Sequence, residues 1–298
     1  MVATFDVRRA EAEFDLDRFI RTSGRVDLSN VRWELAREQP LTNDEVRLLR
    51  YMMDIEGHTV IFLRDLLATH AAFDPDVTAF LSCWNYEEYW HGEAFSRLLG
   101  EAGVSIAPDP GERVHADSPY PTRTARIHRI RRRLGAKGYT AHVGTLLGSA
   151  ATDRDFVAIP MTWGMVNELT TARGYHLMMD RTRNETLIQV LAAIGKQERR
   201  HFAFYRAQAR RRLSASRRAR RLVRWSLEHL WAPVGTGVRP QAETDFVVTR
   251  LFGDPVGAAL IDEMDRTIAA LPGLEGTAFL RPALTEALAR RGMPEPGA

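Results

Sequence analysis

Glu88-Tyr89-Trp90-His91 and Glu198-Arg199-Arg200-His201 each set a glutamate three positions before a histidine. A lone glutamate precedes each pair, Glu56 by 32 residues and Glu168 by 30. Residues i and i+3 are neighbours on one face of a helix, so each pair can bring a carboxylate oxygen and an imidazole nitrogen to one point. Such mixed oxygen and nitrogen donors suit iron or manganese, and four carboxylates balance the charge of two divalent ions. Two Glu-x-x-His segments and one Glu from each of two further helices are the ligand order of a di-metal centre inside a four-helix bundle. The repetition carries the signal. A third match, Glu112-Arg113-Val114-His115, sits among Pro108, Pro110, Gly111 and Pro119 and reads as accidental.

The elements that must position these residues are four long helices. The first starts at the capping-box spacing Thr42-Asn43-Asp44-Glu45 and runs to about His70. Asp74-Pro75-Asp76 opens the second, which ends near Gly103. The third spans about Asp153 to Arg181, and Thr182-Arg183-Asn184-Glu185, a second capping-box spacing, opens a fourth to about Leu213. Each proposed ligand falls within an apolar seam of three- and four-residue steps, for example Met52, Glu56, Val60 and Leu63, or Met161, Met165, Glu168, Ala172 and Tyr175. A bare carboxylate in a core seam costs several kcal/mol unless it is ion-paired or binds metal. The seams offer no Lys or Arg. Asp54 stands as a fallback ligand beside Glu56.

The rest of the 298 residues reads as further helix with almost no strand signal. An amphipathic helix is expected over 5–22, an irregular stretch over 23–40, and a basic helix over about 123–135 that continues towards 147. Another basic helix follows at Ser216–Trp231, then a break over 235–239, and short helices over 241–252, 255–270 and 279–291. The expected architecture is all-α: one domain over 1–298, with a four-helix core bundle over about 42–213 and flanking helices over 214–298 packed on it. No run of 18 apolar residues appears, so no membrane span is expected. The N-terminal residues lack the apolar core of a signal peptide. The single cysteine, Cys83, excludes an internal disulfide framework and suits a reducing cytoplasm. Net charge is only +3, yet Arg126 to Lys137 and Arg206 to Arg224 are arginine-rich, the second with nine. Either block can steer an acidic partner. No aromatic residues alternate with the arginines in the pattern of a nucleic-acid binder.

The motif surroundings resemble the soluble acyl-acyl-carrier-protein desaturases of the ferritin-like di-iron class. Trp84-Asn85-Tyr86-Glu87-Glu88-Tyr89-Trp90-His91-Gly92-Glu93 matches the pattern W-x-x-E-E-x-x-H-G-[D/E] at every fixed position. Asn167-Glu168-Leu169-Thr170-Thr171-Ala172 is similar to the family's Q-E-x-A-T segment, and Ile194 to Tyr205 resembles I-A-x-D-E-x-x-H-x-x-x-Y. The match covers about residues 42–205. It implies a ferritin-like bundle, two iron ions with manganese as an alternative, and O2 as co-substrate. It further implies an acyl chain on acyl carrier protein, electrons from a ferredoxin-type donor, and a homodimer. The implied ligands are Glu56, Glu88, His91, Glu168, Glu198 and His201, with Glu88 and Glu198 bridging. Thr171 is implied in proton delivery, and Trp84 between the surface and His201. The chain departs from the family at Gln197, where an aspartate usually partners a ligand histidine, and His176 lies one residue beyond a frequent family histidine.

The same ligands serve di-iron oxygenases that hydroxylate, N-oxygenate or decarboxylate tailoring substrates, iron-storing ferritins, and the radical subunit of ribonucleotide reductase. The last expects a tyrosine one turn after the first motif histidine, where Phe95 stands. A metal-free helical binding module with the same motifs is a further reading. If an arginine block receives the carrier, reversing three arginines in it should raise KM for carrier-bound substrate. Unchanged steady-state kinetics at low salt for both blocks would contradict carrier docking.

Overall fold

The computed structural model describes residues 14–106 and 143–296. Residues 5–13, Glu112–His115 and the basic block Arg126–Lys137 lie outside them. Helix α1 is Leu16–Thr22 and α2 is Leu35–Glu38; the long helices are α3 (Asn43–Leu67) and α4 (Pro75–Glu101). After α5 (Val143–Thr152) come α6 (Ala158–Arg181) and α7 (Glu185–Ala215). The remainder is α8 (Arg217–His229), α9 (Gln241–Phe252), α10 (Pro255–Ala269) and α11 (Leu280–Arg290). Among the described residues there is no strand, only an isolated bridge between Thr236 and Arg239. This is the all-α bundle with flanking helices that the seams predict.

Local chemistry sets the ends of the bundle helices. Thr42 and Glu45 form the capping box of α3, and Asp74 caps α4 with Pro75 in its first turn. The start of α7 differs from the expected box. Asn184 is its cap, accepting from Leu187 N–H, while Thr182 ends α6 and its hydroxyl accepts from Asn184 N–H. The α6–α7 turn is too tight for a box begun at Thr182. The third helix is also interrupted: Asp153, at φ 54°, opens a 3-10 turn to Val157, and α6 proper begins only at Ala158.

α3 packs along α4 and α6 along α7, and the two hairpins join where α4 meets α7. A continuous apolar cluster runs from Phe19 through the bundle to Leu288, so α8–α11 share the bundle's core. Two glycines permit close approach. A Cβ on Gly164 of α6 would lie 2.3 Å from the Tyr205 ring on α7. Gly235, at φ +88°, sits where a Cβ would be 2.0 Å from the Tyr51 hydroxyl. That hydroxyl donates to the Val234 carbonyl at 2.6 Å, and Arg239 pairs with Asp54 at 2.7 Å. These contacts tie the strap over 231–239 onto α3.

Gly164→Ala should therefore destabilise the fold by about 1–3 kcal/mol, the usual cost of overpacking. Denaturant unfolding checks this, and an unchanged midpoint would show that Tyr205 can move aside.

Candidate metal centre

α3 supplies Glu56, α4 supplies Glu88 and His91, α6 supplies Glu168, and α7 supplies Glu198 and His201; all six are buried. Each lies mid-helix in a seam that hydrophobic burial turns inwards, so the packing that forms the core also drives the ionisable groups together. They form two overlapping sets. Glu56, Glu88, His91 and Glu198 have one donor atom each within 4.8 Å of one another, and so do Glu88, Glu168, Glu198 and His201. Glu88 and Glu198 belong to both.

Glu88 Oε1, both Glu198 oxygens, His91 Nδ1 and His201 Nδ1 are buried without a hydrogen-bond partner. Buried polar atoms are ordinarily paired. Here they converge: His201 Nδ1 lies 2.9 Å from Glu88 Oε1, and His91 Nδ1 lies 3.2 Å from Glu198 Oε1. The donor set fits two divalent ions, and the orphaned atoms are those that would face them.

The outward atoms of the same side chains are satisfied. His91 Nε2 lies 2.8 Å from Gln197 Oε1, and His201 Nε2 lies 2.7 Å from Glu87 Oε2. Trp84 Nε1 donates to Glu168 Oε1 at 3.0 Å, and the Tyr175 hydroxyl donates to Glu56. Such outer partners fix ring orientation and ligand basicity.

Without metal the cluster is electrostatically split. Burial and the Glu88 charge push Glu56 well above the usual carboxylate range; burial and the Glu198 charge do the same to Glu168. Glu198 is opposed by burial and by the Glu88 charge, yet the adjacent His201 and His91 imidazoles hold it down to about 2. Burial opposes a charge on His91, but Glu88 and Glu198 outweigh it and raise its pKa to about 10. In the metal-free cluster, protonation is therefore favoured on Glu56, Glu168 and the imidazoles.

A cavity of about 170 Å³ opens beside the carboxylates of Glu56, Glu88, Glu168 and Glu198. Its walls include Phe62, Trp84, Trp163, Tyr205 and Trp231, with strap residues from Ala232 to Val238 along one side. A second, mostly apolar cavity of about 70 Å³ shares Met52, Thr171, Trp231, Pro233 and Val234 with it and reaches towards Leu251, Phe252 and Leu284.

All six predicted ligand positions come together. Thr171 lies apart from the donor sets, on the wall common to both cavities. Asp54 is paired with Arg239 and joins neither set. Trp84 is placed differently from the expectation: its indole reaches Glu168 and lines the cavity, and Glu87 stands behind His201 instead. His176 bonds through Nδ1 to the Ala172 carbonyl of its own helix at 3.0 Å. Sequence reading placed Tyr175 in the seam only as a packing residue and missed the roles of Glu87 and the strap. Glu87 beside Glu88 was a signal; the strap had none, since its place depends on contacts with Tyr51 and Asp54 nearly two hundred positions away.

No protein-family model matches the chain, and no curated protein matches it. Solved structures do. A point mutant of an R2-like ligand-binding oxidase with aerobically reconstituted Mn/Fe cofactor is similar at 17% identity and TM-score 0.50, over 93% of this chain and 91% of that one. A second point mutant of an R2-like ligand-binding oxidase, with anaerobically reconstituted Mn/Fe cofactor, is similar at 17% identity and TM-score 0.51, over 93% and 90% of the two chains. A third such oxidase, its metal cofactor reconstituted aerobically and then photoconverted, gives 18% and 0.51 over the same shares. At this identity the likeness establishes the ferritin-like bundle fold.

The His91 pKa sets a sign. A proton on His91 stabilises the metal-free fold fully below about pH 6.5, the ordinary imidazole value, and this contribution is lost as pH rises through about 10. Metal must displace that proton, so affinity for a divalent ion should rise with pH across this window, with proton release on binding. Calorimetry in buffers of different ionisation enthalpy measures both; a pH-independent affinity would contradict this.

Proposed function

We propose that the chain is an O2-dependent di-metal oxidoreductase. Glu56, Glu88, His91, Glu168, Glu198 and His201 would hold two iron ions, with manganese an alternative, and Glu88 and Glu198 belong to both candidate sets. One observation carries the reading: carboxylate and imidazole atoms from four helices converge on the floor of an apolar cavity, and those of Glu88, His91, Glu198 and His201 lack hydrogen-bond partners. When bound, the metal pair supplies O2 binding and two-electron redox chemistry.

The protein's own residues do the rest. Trp84 and Tyr175 hold the outer carboxylates, so Glu168 and Glu56 keep their aim. The aromatic walls exclude water, which strengthens every charge interaction inside. Thr171 lies on the wall shared by the two cavities, which supports assigning it proton delivery into the cavity.

Within this reading we assign the substrate as an acyl chain on acyl carrier protein, desaturated to a cis alkene. A CH2–CH2 unit, O2, two electrons from a ferredoxin-type donor and two protons give CH=CH and two waters. Two observations support it. The second cavity extends the first with apolar walls, as the tail of a chain requires. α8 bears exposed Arg217, Arg218, Arg221 and Arg224 and runs directly into the strap that walls the cavity, which suits steering of an acidic carrier. A homodimer in a reducing cytoplasm completes this reading. The aromatic lining, Phe62, Trp84, Trp163 and Trp231, favours as second reading a compact tailoring substrate that is oxygenated.

Iron-reconstituted protein given reductant, O2 and acyl-carrier-protein substrate should yield a product lighter by two hydrogens. Thr171→Val should lower turnover by roughly a hundredfold at unchanged iron content, as loss of a proton-transfer group does. A product gaining oxygen would favour the second reading; full turnover in Thr171→Val would remove the role of Thr171.

A further inference from the structure

Resting on the di-metal reading, the two halves of the centre are nearly matched. Each position would combine one imidazole Nδ1, the shared Glu88 and Glu198, and one outer carboxylate, Glu56 on the His91 side and Glu168 on the His201 side. Each outer carboxylate accepts one hydrogen bond from an aromatic side chain, Tyr175 or Trp84.

The halves differ behind the imidazoles. Glu87 backs His201 and is 0% exposed; its other oxygen accepts from Arg200 at 2.7 Å. Gln197 backs His91 and carries no charge. Both turn to one residue of the loop after α1. Gly24 N–H donates to Glu87 Oε1 at 3.2 Å, and the Gly24 carbonyl accepts from Gln197 Nε2 at 2.9 Å. The half-buried Gly24 carbonyl takes a donor, which a carboxylate lacks, and the Gly24 N–H takes an acceptor. The loop thus calls for an acceptor behind His201 and a donor-bearing amide behind His91.

We propose that the two metal positions are unequal: the His201 position, backed by Glu87, binds a divalent ion more tightly and fills first, and the His91 position, backed by Gln197, fills second. A carboxylate behind an imidazole raises its basicity as a ligand and adds negative charge near the ion; an amide oxygen does the first weakly and the second not at all. Arg200 offsets part of the Glu87 charge, but its side chain is 29% exposed and screened by water, whereas Glu87 is enclosed. Glu87 and Gln197 are positioning residues acting through the histidines, held by Gly24.

The test is a titration of metal-free protein with Co2+, followed by visible absorption and calorimetry. Wild type should take two ions in steps about tenfold or more apart, the size of effect that outer-partner changes produce. The tight step should survive in His91→Ala and vanish in His201→Ala. Glu87→Gln should weaken the tight step about tenfold or more and leave the second in place, and Gln197→Ala should weaken only the second. Circular dichroism confirms that each variant is folded. Two equal steps in wild type, or a tight step lost in His91→Ala and kept in His201→Ala, would overturn the inequality while leaving the di-metal reading intact. No bound Co2+ at all would overturn both.

Discussion

Four carboxylates and two imidazoles share one buried space at the centre of the bundle, and the rest of the structure answers to that concentration of charge. Each group would be costly alone in such a place. Among the described residues the nearby guanidiniums are engaged elsewhere, Arg200 with Glu87 and Arg239 with Asp54. Only protons or metal cations can balance the centre, which is why two carboxylates and both imidazoles are pushed towards their protonated forms in its absence. Metal-free protein and metal-bound protein are two ways of neutralising the same cluster.

Around that centre the structure divides its tasks by direction. Behind the histidines lies a fully paired network, Glu87, Gln197, Arg200 and the Gly24 backbone, which holds the rings so that Nδ1 points inwards. In front of the carboxylates lies the cavity, where polar groups give way to aromatic walls. The strap over 231–239 closes one side of it and is fixed by Tyr51, by Asp54 and by a glycine with no Cβ to collide. Under the proposed function, a paired rear and an apolar front would let the centre meet substrate with little water present.

Much of this was legible in the chain. The convergence of the six candidate positions was, because i to i+3 spacing and seam periodicity are local rules that tertiary packing does not override on long helices. The flanking helices over 241–252 and 255–270 followed from the same periodicity and from Pro255. The start of α7 was not, since Thr182 and Asn184 both fit a cap and only the tightness of the turn decides between them. The break at Asp153 depends on a positive φ, which aspartate tolerates better than most residues but which its presence alone does not announce. The Gln197–Gly24 contact spans 173 positions, and nothing local joins them. Trp84 was assigned outwards by resemblance, and its indole instead donates to the outer carboxylate of Glu168.

The central claim is that six side chains hold two ions, with Glu88 and Glu198 touching both. Anomalous diffraction at the iron edge from crystals of the anaerobically reconstituted protein tests it most directly. The account predicts two peaks inside the bundle, one beside Glu56 and His91, the other beside Glu168 and His201, with Glu88 and Glu198 between them. A cluster without anomalous density, or iron bound elsewhere on the protein, would contradict it.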